Sequence, residues 1–441
     1  MTETLLKLDF RSQCSGEIYL PGSKSIANRA LLLAALADGS TILENMLDSD
    51  DTRHMRTALR ALGINISEDA NAAPVQPADT LVVGNSGLFA SQAAPLALFL
   101  GNAGTAMRPL TAALAASAGE FSLGGEPRMH ERPIGPLVDA LHELGAEIHY
   151  EGEKGFPPLL IKGRSMRGGK VTIDGSMSSQ FISALLMILP LLPEDSEVEL
   201  TGTIVSAPYI ELTIAMMRQF GAEVDWRSPR CIQVTGKQGY KSPGRYWIEG
   251  DASSASYFLA AAAIAGGTIR VHGVGTDSLQ GDKEFAKVLA AMGAEVDFQP
   301  RSIAVTRGQQ PLRGGDFDLN AIPDAAMTIA TTALFADGPT AIRNIYNWRL
   351  KETDRLNAMA TELRKVGAEV DEQDDAIVIT PPKEIRHAEI ATYDDHRMAM
   401  CFSLLAFAPA GVTILDPDCC RKTYPHFFAD FASVCHPVAL R

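Results

Sequence analysis

The sequence predicts an α/β protein made of six copies of one unit, shared between two domains. Three observations carry that prediction. A short polar segment leading into an apolar, helix-length run begins at Ser23, Thr105, Ser178, Ser253, Asp324 and Asp395. A strand-like stretch follows each run: STILENM (40–46), EFSLGG (120–125), SEVELTG (196–202), GTIRVHG (267–273), PTAIRNI (339–345) and VTILDP (412–417). Five amphipathic segments then stop at Gly63, Gly145, Gly221, Gly293 and Gly367, each followed by a strand pattern such as GAEV. A period of roughly 70–80 residues is the mark of arrayed supersecondary units.

Each element has its own justification. The first helix of a unit is apolar nearly all round (LLLAALA, FISALLMIL, YFLAAAAIA), which predicts burial at the centre of a domain. The second carries apolar residues on one face only and ends on a glycine suited to the C-terminal cap. The sixth copy lacks its closing glycine and strands after FFADFASV. The N-terminal stretch LLKLDFRSQCSGEIYL supplies strands of the right kind, so residues 1–20 are expected to complete that copy. One domain then comprises residues 1–20 and 247–441 with copies four to six. Residues 21–246 form an inserted domain with copies one to three. The crossings fall near Pro21–Gly22 and KSPGRYW (241–247), both rich in turn residues. Two crossings imply a hinge and a cleft, where the active site is expected.

Composition narrows the function. The 441 residues exceed a single core, and 46% hydrophobic with 21% charged residues is ordinary for a globular protein. The formal net charge of −14 excludes a general nucleic-acid or membrane-surface binder. An anionic ligand must therefore be held by a local basic cluster. MTETLLKLDF does not read as a targeting segment and no run is long enough to span a bilayer, so a cytoplasmic protein is expected. Six cysteines without metal-type spacing, Cys419 and Cys420 adjacent, fit reduced thiols.

The chemistry-bearing residues fall at helix starts, which present free N–H groups and partial positive charge. PGSKSIANR offers Lys24, Ser25 and Arg29, with Ser23 as the cap. GNAGTAMRP offers Asn102, Gly104, Thr105 and Arg108, small enough for a ligand to reach the backbone. GSMSSQ offers Ser176, Ser178, Ser179 and Gln180. GDASSAS carries no cation and reads as plain capping. IPDAAM and DDHRMAM add Asp324, Asp394, Asp395, His396 and Arg397; the last cluster has no matching metal-ligand set elsewhere. The loops after the strands supply Arg128 and Arg132, Ser206 and Tyr209, then Asn347, Arg349, Lys351, Glu352 and Arg355, and finally Arg421 and Lys422. Cations at repeat-equivalent places point to one shared site for a ligand with at least two anionic groups. Asp324 and Glu352 among them are either counterions or acid/base groups.

These segments also resemble a known family. PGSKSIANRALLLAALA, LFLGNAGTAMRPL, GEPRMHERPIG, DGSMSSQF, EGDASSASYFLAAAAIAGG, IPDAAMTIAT, IYNWRLKETDRL and DDHRMAM together are similar to the 5-enolpyruvylshikimate-3-phosphate synthases, or 3-phosphoshikimate 1-carboxyvinyltransferases. The likeness runs from about residue 5 to residue 430. It implies two similar domains, each of three βαβαββ units around buried central helices, an inverse α/β barrel-like fold. It implies transfer of the enolpyruvyl group of phosphoenolpyruvate to the 5-hydroxyl of shikimate 3-phosphate by addition and elimination, and inhibition by glyphosate.

By the same resemblance, shikimate 3-phosphate would be bound by Lys24, Ser25, Arg29, Ser178, Ser179, Gln180, Ser206, Tyr209, Asp324, Asn347 and Lys351. Phosphoenolpyruvate would be bound by Lys24, Asn102, Gly104, Thr105, Arg132, Gln180, Arg355, Arg397 and Lys422. Asp324 would be the base on the 5-hydroxyl, Glu352 with Lys24 would protonate the methylene carbon, and His396 would support them. No metal or organic cofactor is implied, the partners are the two small substrates, and a monomer is expected. The transferase acting on UDP-N-acetylglucosamine is the enzymatic rival. It carries a Cys in the loop that here reads GEPRMHERP and an Asn where Ser25 stands. An RNA 3′-phosphate cyclase conflicts with the acidic charge, and a non-catalytic scaffold would not keep the cations.

Overall fold

The computed structural model describes residues 4–68, 79–90 and 94–437. The chain forms two compact units: residues 22–249, and residues 1–21 together with 250–441.

In the unit of residues 22–249, three long helices are enclosed: α1 (Lys24–Leu36), α3 (Gly104–Ala116) and α5 (Ser179–Ile188). Every residue of α3 is buried, and α1 and α5 are buried along all sides. The apolar runs dictate this, because a helix without a polar face has no side to give to water. α3 packs on both α1 and α5. Outside them lie α2 (Asp50–Ala61), α4 (Gly135–Glu143) and α6 (Pro208–Gln219), each with an exposed face. The other unit repeats the plan with α7 (Ala252–Ala265), α9 (Pro323–Thr332) and α11 (His396–Phe402) enclosed, and α9 packed on its two companions. There α8 (Phe285–Ala291), α10 (Arg355–Lys365) and α12 (Phe427–Val434) lie outside.

Each copy owns one small sheet, with a parallel first pair and antiparallel strands beyond it. In the second copy Leu96–Phe99 runs parallel to Gly119–Gly124, which pairs antiparallel with Leu159–Gly163 and then Glu147–Tyr150. The parallel pair needs a crossover, and the enclosed helix is that crossover.

Two of these parallel strands come from elsewhere in the chain. The first strand of copy one is Arg245–Trp247, parallel to Ser40–Glu44. The first strand of copy four is Gly16–Tyr19, parallel to Thr268–His272. The sequence reading gave all of residues 1–20 to copy six, and that is corrected here. Only Leu5–Leu8, on Val412–Leu415, and Arg11–Cys14, on Cys435–Pro437, serve the last copy. The division between the units falls between Glu249 and Gly250, a few residues past Arg245–Trp247. The glycine stops behave alike. At Gly63, Gly145, Gly221, Gly293 and Gly367 φ lies between 85° and 107°. The paired bonds of a Schellman cap follow, as in Gly63 N–H to Arg60 C=O and Ile64 N–H to Leu59 C=O, 3.0 Å each.

Candidate active site

Each unit holds one cluster of buried polar side chains at the starts of its enclosed helices. In residues 22–249 the cluster is basic. Lys24 lies in the first turn of α1, its Nζ 3.1 Å from Asp51 Oδ2 at the start of α2. Arg29, one turn on, donates from Nε to Thr213 Oγ1 (2.8 Å), from Nη2 to Ser183 Oγ (3.2 Å) and from Nη1 to the carbonyl of Ser25 (2.9 Å), with its guanidinium 6.0 Å from the Tyr209 ring centre. Asn28 Nδ2 donates to Thr105 Oγ1 (2.7 Å), which ties α1 to the start of α3. Arg132 Nη1 donates to both the carbonyl (2.9 Å) and Oδ1 (2.8 Å) of Asn102, and buried Arg108 Nη2 donates to the carbonyl of Pro133. A Cβ on Gly104 would lie 2.6 Å from Arg108 Nη1 and 2.8 Å from Arg132 Nη2. Ser178 caps α5 by accepting from the Gln180 N–H, with Ser179 buried beside it. Ser206, just before α6, adopts a left-handed φ of 55°.

Among the described residues no carboxylate lies within ion-pair reach of Arg29 or Arg132, although both are buried. Burial without a counterion pushes the Arg29 guanidinium down to about 10, still charged at neutral pH. A buried, uncompensated cation costs on the order of several kcal/mol. An incoming anion relieves that cost. α1 and α3 also begin without a side-chain cap, which leaves first-turn N–H groups for a ligand.

The cluster of the other unit is mixed in sign. Arg355, first residue of α10, reaches three carboxylates: Asp324 Oδ1 (2.9 Å), Glu352 Oε2 (2.8 Å) and Asp395 Oδ2 (2.7 Å). Asp324, near the start of α9, also accepts from Arg397 Nη2 (3.0 Å), with Lys351 Nζ at 3.4 Å. Arg397 Nη1 donates to the Tyr257 hydroxyl (3.1 Å) on α7. Asp395 Oδ1 caps α11 by accepting from the Arg397 N–H (2.9 Å). The Trp348 indole donates to the carbonyl of Pro323 (2.7 Å) and pins the loop carrying buried Asn347 to the start of α9. Burial pushes the Asp324 carboxyl up, but Arg397, Lys351 and Arg355 outweigh it and hold the group well below the usual range. For Arg355, burial opposes the charge, and Asp395, Glu352 and Asp324 more than restore it.

Thus Asp324, Lys351, Glu352, Arg355 and Arg397 form one bonded cluster. His396 is wholly enclosed, its Nδ1 3.7 Å from Asp395 Oδ1. Lys422 is buried with no ion pair among the described residues. Arg128 pairs with Glu131, Arg349 with Asp354 and Glu372, and Arg421 is exposed. GDASSAS is capping, as read: Asp251 Oδ2 accepts from the Ser254 N–H and hydroxyl. The sequence reading missed Asp51, Asn28 and Tyr257. Asn28 had a signal, one turn from Lys24, whereas Tyr257 sits in an apolar run that marks it as core.

A family model described as EPSP synthase (3-phosphoshikimate 1-carboxyvinyltransferase) matches residues 8–431. The chain belongs to the EPSP synthase family. A 3-phosphoshikimate 1-carboxyvinyltransferase of Colwellia psychrerythraea is 58% identical over 97% of this chain and 99% of its own. One of Serratia proteamaculans is 58% identical over 95% and 96%. Among solved structures, EPSP synthase from Acinetobacter baumannii superposes with a TM-score of 0.81 at 24% identity, covering 99% of both chains. The enolpyruvyl transferase NikO from Streptomyces tendae gives 0.76 at 18% identity, covering 98% of this chain and 97% of its own. The fold is the two-domain α/β fold of these transferases, as the sequence predicted, and the chain is a transferase.

Proposed function

We infer that the chain transfers the enolpyruvyl group of phosphoenolpyruvate to the 5-hydroxyl of shikimate 3-phosphate and releases phosphate. One observation carries the reading furthest: buried Arg29, Arg132 and Lys422 have no carboxylate within ion-pair reach among the described residues, while Arg355 and Arg397 bracket Asp324. The two substrates bring two phosphates and two carboxylates, enough to engage these cations. The relatives' shared name supports the same reaction.

The chemistry then divides among the residues. In the addition, the methylene carbon of phosphoenolpyruvate gains a proton while the 5-hydroxyl attacks the adjacent carbon and loses its own. In the elimination, phosphate leaves and the methyl group gives a proton back. Glu352, with Lys24, is assigned the proton to carbon, and Asp324 the proton from the hydroxyl. A carboxylate held far below its usual pKa is a weak base. As substrate anions draw Arg397, Arg355 and Lys351 toward themselves, that depression is relieved and Asp324 becomes basic enough to act. His396 supports Asp395, which orients Arg355.

A phosphate-release assay tests this. Phosphate should appear only when both substrates are present. Absence of release with shikimate 3-phosphate, or release with UDP-N-acetylglucosamine as acceptor, would reject the reading.

A further inference from the structure

Cys14 closes the strand Arg11–Cys14 and Cys435 opens the strand Cys435–Pro437. They face each other in antiparallel register, both fully buried, with sulfurs 3.5 Å apart. The next pair along this ladder is hydrogen-bonded, Ser15 N–H to the carbonyl of Val434 at 2.9 Å, whereas the Cys14 N–H turns away to the carbonyl of Gly266. The two cysteines therefore occupy a non-hydrogen-bonded position, where facing Cα atoms approach to about 4.5 Å. A disulfide spans Cα separations of about 4.4–6.8 Å. The other cysteines lack this geometry: Cys231 is half-buried in another sheet, Cys401 lies against Thr328, and Cys419 and Cys420 are sequence neighbours.

We propose that Cys14 and Cys435 form a reversible oxidation site, at which a small disulfide such as oxidised glutathione converts the two thiols into a bond joining the ends of the chain. The thiolate of Cys435 attacks one sulfur of glutathione disulfide and expels a glutathione thiolate. The thiolate of Cys14 then attacks the Cys435 sulfur of the mixed disulfide and expels the second. Two protein S–H bonds are lost, one S–S bond forms, and one glutathione disulfide becomes two glutathione thiols that take up the two protons. Cys435 leads because it lies on a three-residue strand whose pairing with Arg11–Cys14 is interrupted by a register shift, so little has to open to expose it. Burial and the neighbouring Cys435 thiol raise the Cys14 thiol far above its ordinary range, which makes the exchange slow in the closed strand pair. The product ties residues 421 positions apart, and a cross-link over so long a loop restrains the unfolded chain strongly.

The full-length protein is incubated with excess oxidised glutathione, unfolded in an alkylating agent, digested and mass-mapped. A peptide pair linked through Cys14 and Cys435 should be the main cross-link. The melting temperature should rise by at least about 3 °C and return with dithiothreitol, with turnover within about twofold of the reduced enzyme. Cys14→Ala and, separately, Cys435→Ala should each abolish the rise while leaving turnover unchanged. Full alkylation of both cysteines after oxidation, a different main cross-link, or an oxidised protein without the melting shift would each overturn the proposal. So would a rise that persists in either variant.

Discussion

Arg355 meets Asp324, Glu352 and Asp395 with one guanidinium, so the three carboxylates share a single counter-cation. Asp324→Asn and Glu352→Gln should each leave a folded enzyme that binds shikimate 3-phosphate but turns over at least about a hundredfold more slowly. Near-normal kcat in either variant removes its assigned role. Asp324 also links pH to stability. Its folded pKa is depressed, so its contribution is complete above the unfolded value of about 3.9 and fades as pH falls toward the folded value. The stability gap between wild type and Asp324→Asn should therefore be constant from pH 5 to 7 and shrink below about pH 4 in urea titrations. Tyr257→Phe removes the hydroxyl against Arg397. The KM for phosphoenolpyruvate should rise severalfold with kcat changed less than about threefold; the opposite split would deny Tyr257 a role in positioning Arg397. Gly104 begins α3 and is not in the left-handed region, so alanine there strains no turn. Its methyl displaces Arg132 and Arg108 instead. Gly104→Ala should raise the glyphosate inhibition constant more than the phosphoenolpyruvate KM, and equal shifts would mean both ligands feel only the moved arginine. The charged members of the site were legible because Lys and Arg at apolar helix starts are conspicuous. Tyr257 was not, because its role comes from a hydroxyl meeting Arg397 from 140 positions away.

Among the elements, the helix stops were the most readable, since a left-handed residue closing a Schellman cap leaves glycine as the unstrained choice. At Gly63 (φ 90°) a Cβ would meet nothing within 4 Å. Gly63→Ala should then cost about 1 kcal/mol from backbone strain alone. A lowered urea midpoint at unchanged m-value is the expected result; no shift would mean the α2 end relaxes freely. Helix starts were less readable. Ser23 occupies the cap position without a capping bond, and α7 is capped by Asp251, not Ser253. The first strands of copies one and four were invisible for a stronger reason. Gly16–Tyr19 and Arg245–Trp247 are short and carry no label of the sheet they join. Pairing over such sequence distances is decided by tertiary packing, not local pattern.

On the scale of the molecule, every described sheet strand of residues 22–249 pairs within that stretch. A fragment of residues 22–249 should therefore fold alone and melt cooperatively by circular dichroism, without catalysing the reaction. Failure to melt cooperatively would mean that the sheets depend on the rest of the chain. The other unit has no such independence in sequence. Its strands Leu5–Leu8, Arg11–Cys14 and Gly16–Tyr19 take partners from Val412–Leu415, Cys435–Pro437 and Thr268–His272. During translation these strands must thus wait for partners made much later. At about 5–20 residues per second, the nearest partner of Gly16–Tyr19 emerges roughly 12–50 s after it. The waiting segment is written for that delay: Lys7, Asp9, Arg11 and Glu17 interrupt its apolar residues. Such charges act as gatekeepers that keep a nascent, unpaired strand from recruiting a neighbour on the same polysome.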